Sequence, residues 1–268
     1  HLLTFIPIIL FLNNNFKTKL ILRISGKPKL TFFRNILWKL SNKKLHLVFC
    51  PTEETIDYLK GTNIFDKNKI LHLPDPILDK KVIARLTKKK IDQKFKKDNF
   101  FLSIGRLTKQ KNHELLIKMF YYHGIKEKLL IIGDGQLLGY LRRLIKDYKL
   151  SDKIKIIKYQ ENIFYYIKKC KAVIITSLWE DPGFVMVESA HMKKPIICSD
   201  CPSGPKEFIN NNKGGFLFKS NSIVSLKNAF INFKKINQKL LLKKLSYAKK
   251  QSKIFSIENH SKIISKYL

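Results

Sequence analysis

Arginine and cysteine are both scarce in this chain, and it has no apolar run long enough to cross a bilayer. Its first twelve residues are apolar, but too few to span, and Pro7 interrupts them. They also lack the basic start and small-residue cleavage site of a signal peptide. The four cysteines are Cys50, Cys170, Cys198 and Cys201, too few for a disulfide framework, which fits a reducing cytoplasm. Cys198-Ser-Asp-Cys201 is a lone C-x-x-C without the second ligand pair of a zinc site. Cys198 reads instead as a small hydrophobe ending a buried strand. No internal repeat is evident, and no D-x-D metal motif lies in a plausible loop.

The excess is in lysine. Only six of the 53 basic residues are Arg, and the formal net charge is +33 over 268 residues. Lys, Asn and Ile are abundant together, as an AT-rich coding sequence would make them. A basic face would also steer a protein toward anionic lipid or an anionic substrate. Nucleic acid is a competing partner, but the lysines are scattered through every element and Arg, the usual base reader, is rare. A hydrophobic content of 44% is that of a globular protein, and the length suits two domains.

One stretch organises the rest, Ser177-Leu178-Trp179-Glu180-Asp181-Pro182-Gly183-Phe184-Val185-Met186-Val187-Glu188. It follows an apolar run, Ala172 to Thr176, that reads as a buried parallel strand. Pro182 and Gly183 make a tight loop, and Phe184 to Met192 reads as a helix stopped before Pro195. Glu180 thus sits at the strand's carboxyl end and Glu188 about one turn into the helix. Ligands of open α/β sheets bind outside the carboxyl ends of the strands. A helix start offers N–H groups and a positive dipole end for a phosphate, and carboxylates accept bonds from sugar and ribose hydroxyls.

The segment from Trp179-Glu180-Asp181-Pro182-Gly183-Phe184 to Pro195, followed by Ser199 to Glu207, resembles the Glu-x7-Glu region of family 4 glycosyltransferases. That resemblance implies the GT-B fold, two Rossmann-like domains with parallel sheets and a nucleotide-sugar between them. Gly105-Arg106-Leu107, with Lys111 five residues after the Arg and a helix from about His113, is similar to the family's phosphate loop. Gly133-Asp134-Gly135 stands where the family has its Gly-rich turn. Lys158-Tyr159-Gln160 stands at the loop that brackets the base, where Lys158 departs from the usual Gly. Many members carry a His near the reacting sugar. Arg23-Ile24-Ser25-Gly26 stands at the apparent equivalent, so Arg23, Ser25 and Gly26 are candidates for the acceptor side.

The expected organisation follows. Residues 1–86 form the later half of an acceptor domain, with strands at Lys19 to Ile24, Leu45 to Cys50 and Lys69 to Leu73. The chain begins with His1, and only about three strands precede residue 87, so the first domain is expected to lack its start. Residues 87–99, rich in Lys, form a linker, and residues 100–252 a nucleotide-sugar-binding domain. Residues 253–268 form a helix crossing back.

The resemblance implies transfer of a sugar from a UDP-, GDP- or ADP-sugar to a hydroxyl acceptor, with retention and no metal or other cofactor. The acceptor is expected to be a lipid-linked or cell-surface oligosaccharide, and the protein cytoplasmic or peripheral on the inner membrane face. Arg106 and Lys111 would hold the diphosphate, with Glu180 orienting the sugar and these three as the catalytic set. Glu188 would hold the ribose. Gly105, Gly133, Gly135, Tyr159, Gly183, Phe184 and Val185 complete the donor site. The alternatives are a sugar-nucleotide epimerase, a binding protein without transferase activity, and a nucleic-acid-binding protein.

Overall fold

The computed structural model describes residues 18–88 and 100–267. They fall into two compact units, the first ending at Pro74 and including Tyr267, the second running from Asp75 to Lys266. The apolar segment expected at Leu3 to Leu12 and most of the expected linker lie outside the described residues.

In the first unit, strands β1 (Leu20–Arg23), β2 (Leu45–Cys50) and β3 (Ile70–His72) form a parallel sheet in that order. Helices α1 (Phe32–Asn42) and α2 (Glu53–Thr62) connect them. The middle strand is the most apolar, and Val48, Phe49 and Cys50 are buried. Thr52 starts α2 by accepting a bond from the Thr55 N–H at 3.3 Å, and Asn63 stops it in the left-handed conformation.

The second unit is a six-stranded sheet, all of whose described pairings are parallel. Its strands are β4 (Phe100–Ile104), β5 (Lys128–Ile132), β6 (Ile154–Ile157), β7 (Val173–Ile175), β8 (Ile196–Ser199) and β9 (Phe216–Phe218). Their spatial order is β6-β5-β4-β7-β8-β9, which reverses direction beside β4. This is the doubly wound order, and it opens a crevice between the carboxyl ends of β4 and β7. Both faces of the sheet are apolar, which explains why its strands read as continuous hydrophobic runs. Leu102, Val173 and Ile196 face one core, with Met186 and Val187 from the helix side. Phe101, Ile174 and Ile197 face the other, with Leu116, Phe120 and Phe230. The helices are α3 (Lys80–Lys88), α4 (His113–Tyr122), α5 (Leu138–Asp147), α6 (Ile163–Lys169), α7 (Phe184–His191), α8 (Pro205–Ile209), α9 (Ile223–Lys235), α10 (Gln238–Ser252) and α11 (Ile257–Ile264).

Three differences from the sequence reading have local causes. Helix α3 was not foreseen; the Asp79 carboxylate caps it by accepting from the N–H groups of Lys81 and Val82. Its Ile83 and Leu86 pack into the second unit's core, and the Asn162 side chain donates to the Leu86 carbonyl at 2.8 Å. The compact units therefore divide at Pro74, and Thr87 and Lys88 are helical. The pattern after Gly135 predicts a helix from Gln136 to Tyr148, whereas α5 begins at Leu138, because the Leu137 N–H is held by the Leu107 carbonyl at 3.0 Å. The last helix begins at Ile257, where the Ser256 hydroxyl accepts from the Asn259 N–H at 3.1 Å.

The turn after β5 shows what holds the crevice in shape. A Cβ on Gly133 would stand 1.9 Å from the Gly105 carbonyl oxygen, so the exits of β4 and β5 touch through bare backbone. A Cβ on Gly139, in α5, would meet nothing within 4 Å. Gly133→Ala should therefore destabilise the protein by about 3 kcal/mol or more, whereas Gly139→Ala should be stabilising by about 0.5 kcal/mol. Urea unfolding of both variants checks the opposite signs.

Candidate functional site

The carboxyl end of β4 releases the loop Gly105 to Asn112, which closes with a single 3-10 turn at Lys109–Lys111 and a left-handed Asn112. The Leu107 N–H donates to the Asp134 carbonyl at 2.8 Å, and the Gly135 N–H to the Asp134 carboxylate at 2.8 Å. A Cβ on Gly135 would come within 2.7 Å of the Leu107 carbonyl, so the two glycines of Gly133-Asp134-Gly135 serve one packing contact. The exit of β7 lies alongside. The Thr176 hydroxyl bonds the Lys111 and Asn112 carbonyls, each at 2.9 Å.

Within this frame the acidic and basic candidates meet. Lys111 Nζ donates to Glu180 Oε1 at 2.5 Å, and the Ser177 hydroxyl donates to the same oxygen at 2.5 Å. Glu180 is 7% exposed, so its charge is neutralised by a specific partner rather than by water. Breaking such a buried pair costs about 3–5 kcal/mol because one charge is left behind. Glu180 is also anchored by its own N–H, which donates to the Pro202 carbonyl at 3.2 Å. Arg106 reaches out from the same loop, and its guanidinium donates to Gln110 Oε1 at 3.3 Å. Helix α7 then starts at Phe184 after Gly183, whose φ of 100° only glycine adopts readily, and no side chain caps it.

Glu188 sits in the second turn of α7 under a different constraint. No described residue hydrogen-bonds its carboxyl group, and burial pushes its pKa up to about 7. It is the acid in this region without a partner of its own. His113, at the start of α4 beneath the loop, is the opposite case. Burial lowers its pKa to about 4, so it stays neutral, with Nδ1 3.2 Å from the Ser103 hydroxyl.

The structure thus brings together Gly105, Arg106, Lys111, Gly133, Gly135, Glu180 and Gly183, with Phe184, Val185 and Glu188 on the helix that follows. Tyr159 is 72% exposed beyond β6, and no described contact joins it to the others. In the first unit Arg23 donates to the Ser25 hydroxyl at 2.5 Å, and Gly26 follows with a φ of 66°. Cys198 and Cys201 are buried free thiols, and burial pushes the Cys201 pKa up to about 12. Among the described residues no cluster of three His, Cys, Asp or Glu could hold a metal ion.

Two residues escaped the sequence reading. Gln110 accepts from Arg106 while its Nε2 donates to the Trp179 carbonyl at 3.0 Å, and its own carbonyl accepts from the Leu178 N–H at 2.8 Å. It ties the two loops together across 69 residues of chain. The amide accepts from Arg106 through its oxygen and donates to a carbonyl through its nitrogen. Ser177 supports Glu180 as described. Neither residue stands out in sequence, since their partners come from a distant strand exit or a three-residue turn.

A doubly wound parallel sheet in this order, with its loops and an uncapped helix start at the switch point, is a Rossmann-like domain. The chain belongs to the glycosyl transferases group 1, whose family model matches residues 84–252. It is 29% identical over 211 residues to a Campylobacter jejuni enzyme, N-acetylgalactosamine-N,N'-diacetylbacillosaminyl-diphospho-undecaprenol 4-alpha-N-acetylgalactosaminyltransferase, covering 75% of this chain and 56% of that one. It is 30% identical to an uncharacterized glycosyltransferase of Methanocaldococcus jannaschii, covering 76% of this chain and 54% of that protein. The chain therefore spans about half the length of these curated relatives. Its fold is shared with Anabaena HepE, crystallised with UDP, at a TM-score of 0.77 and 16% identity, over 93% of this chain and 72% of that one. A glycosyltransferase from Rickettsia africae matches at a TM-score of 0.76 and 20% identity, over 94% and 70%.

The unpartnered Glu188 makes a prediction about stability. Its folded pKa is above the unfolded value of 4.5. The folded state therefore holds the proton more tightly, and its contribution to stability is complete below pH 4.5 and is lost as pH rises toward 7. Glu188→Gln removes that loss. In the ligand-free protein the variant should gain up to about 3 kcal/mol over the wild type at alkaline pH and little at acid pH. Urea midpoints at both ends of the window measure this, and a pH-independent difference would show that Glu188 is already solvated.

Proposed function

We propose that this chain carries the donor half of a retaining glycosyltransferase, which moves a sugar from a nucleoside diphosphate sugar to a hydroxyl acceptor. The observation that carries this reading is the convergence of Arg106, the Lys111–Glu180 pair, Glu188 and the start of α7 at one switch point. A diphosphate suits Arg106, Lys111 and the Phe184–Val185 helix start, because these are positive groups at a strand end. A ribose suits Glu188. A pair of hydroxyls would give that carboxylate the partners it lacks and lower its pKa, so donor binding would offset the strain of a half-buried acid. Glu180, held by Lys111 and Ser177, is set to orient the sugar rather than to attack it. The exposed ring of Tyr159 is available to stack on the base.

The chemistry asked of these residues is stabilisation of charge on the departing diphosphate. Arg106 can grip two of its oxygens at once, and Lys111 supplies a compact charge beside it. Retention is supported by the alpha linkages named for the Campylobacter relative and for a Staphylococcus aureus poly(ribitol-phosphate) alpha-N-acetylglucosaminyltransferase, 28% identical over 45% of this chain. Those names also favour a lipid-linked or polymer acceptor, with Arg23, Ser25 and Gly26 on the acceptor side. UDP is the first donor nucleotide to test, since Anabaena HepE was crystallised with it. A protein of this charge acting on a lipid-linked acceptor would work in peripheral contact with an anionic membrane from the cytoplasm. No helix of the described residues is long and apolar enough to cross one.

Calorimetry with UDP, GDP and ADP tests the donor site. Glu188→Gln should weaken the best nucleotide about tenfold or more, through loss of a charge-assisted bond. An unchanged dissociation constant would take Glu188 out of the site.

Turnover tests the clamp. Arg106→Ala should lower kcat more than it raises KM, and Arg106→Lys should not restore it, because Lys cannot make a forked contact. Transfer is expected to continue undiminished in a metal chelator. Near-normal turnover in Arg106→Ala would withdraw its role.

A further inference from the structure

Among the described residues, the first unit carries an apolar face that its core does not use. Helix α1 turns Leu37 and Trp38 inward, and the Trp38 ring packs on Phe65 at 5.4 Å between centroids. On the other side Phe32, Phe33, Ile36 and Leu40 are exposed, the two phenylalanines to 75% and 74%. Residues 32, 36 and 40 lie one turn apart and residue 33 adjoins them, so the four side chains make one stripe about 12 Å long. Thr31 caps the helix at the end where the phenylalanine rings meet edge to face at 5.9 Å.

The rim of this stripe has one sign of charge. Lys29, Lys39 and Lys43 are exposed around it. Residues 1–52 contain nine Lys or Arg and no Asp or Glu. The first acids after them are engaged elsewhere, Glu54 with Lys27 at 2.7 Å and Glu53 with His72 at 3.1 Å. A second copy of the chain would bring lysines against lysines, which like charges oppose. A nucleic acid would use the cations and leave the four apolar side chains in water. An anionic bilayer takes both, since aromatic side chains enter the headgroup boundary while lysines extend to the lipid phosphates.

We infer that α1 is an in-plane docking helix for an anionic lipid surface, with Phe32, Phe33, Ile36 and Leu40 entering the interface and Lys29, Lys39 and Lys43 facing the phosphates. This names the surface for the membrane contact proposed above. Lipid binding without any donor judges it separately from sugar transfer, so either idea can fail while the other stands.

The test is co-sedimentation of the full chain with phosphatidylcholine vesicles, with and without about 30 mol% phosphatidylglycerol. Binding should be at least about tenfold stronger to the anionic vesicles and should fall as salt is raised. The double substitution Phe32→Ser with Phe33→Ser should reduce it at least about tenfold with no change in Tm, because both side chains are exposed. Should that variant melt early, Ile36→Gln with Leu40→Gln is expected to show the same loss. Equal binding to neutral vesicles, or wild-type binding by a variant that keeps its Tm, overturns the inference. So does a dimer that the substitutions dissociate while vesicle binding is unchanged, which would make this face a contact between copies.

Discussion

The contact between bare backbones at Gly105 and Gly133 sets the geometry on which the candidate site depends. It lets the exits of β4 and β5 lie against each other, while the Thr176 hydroxyl draws the exit of β7 to the Lys111 and Asn112 carbonyls. Strand order supplies the reason these exits are neighbours at all. The sheet runs outward in both directions from β4 and β7, so the helices leaving those two strands depart to opposite faces and leave the crevice open. The apolar layers on either face fix this arrangement, and buried Ser103 is partnered by His113 and buried Ser199 by the Ser177 carbonyl.

On that frame the electrostatics divide the acids into two kinds. Glu180 is buried and already partnered by Lys111 and Ser177, so the ligand-free protein holds it in one geometry. Glu188 has no such partner and is held by burial toward its neutral form. Preorganisation accounts for the first, and burial without a described hydrogen-bond partner for the second. Gln110 joins the two loops by using both ends of one amide, so the position of Arg106 and that of the Trp179–Glu180 peptide are coupled. The formal charge of +33 is spread over the whole sequence, and at this site Lys111 is paired with Glu180. Acid-free stretches of it occur at the start of the chain, around the exposed stripe of α1, and again over residues 208–257.

Much of the fold was legible because the strands are buried on both faces. Phe100–Ile104, Leu45–Cys50 and Ile196–Ser199 are apolar except for Ser103, His46 and Ser199, as burial on both sides favours. The pattern over Gln238 to Ser252 also predicts an amphipathic helix, and α10 has those bounds, capped by Asn237. Helix α3 was missed although Lys80–Lys88 is strongly amphipathic; Asp79 caps it, and Ile83 and Leu86 pack against distant chain. The start of α5 was misplaced for a similar reason, the claim of the Leu107 carbonyl on the Leu137 N–H.

By itself the sequence determined the alternation of strand and helix, the glycines where backbones touch, and the candidate donor residues Arg106, Lys111, Glu180 and Glu188. The strands, helices and glycines follow from local rules, namely burial period and steric freedom, and the donor candidates from the resemblance of their motifs to family 4 glycosyltransferases. Only the tertiary structure decided which of them meet. Lys111 and Glu180 are 69 residues apart, and nothing between them announces that one oxygen of the acid receives both an ammonium and a hydroxyl. Nor could composition tell the solitary Glu188 from the paired Glu180, because solvation and partnership are properties of a place in the fold. The same holds for α1, whose two apolar sides look alike in sequence until packing covers one of them and leaves the other in water.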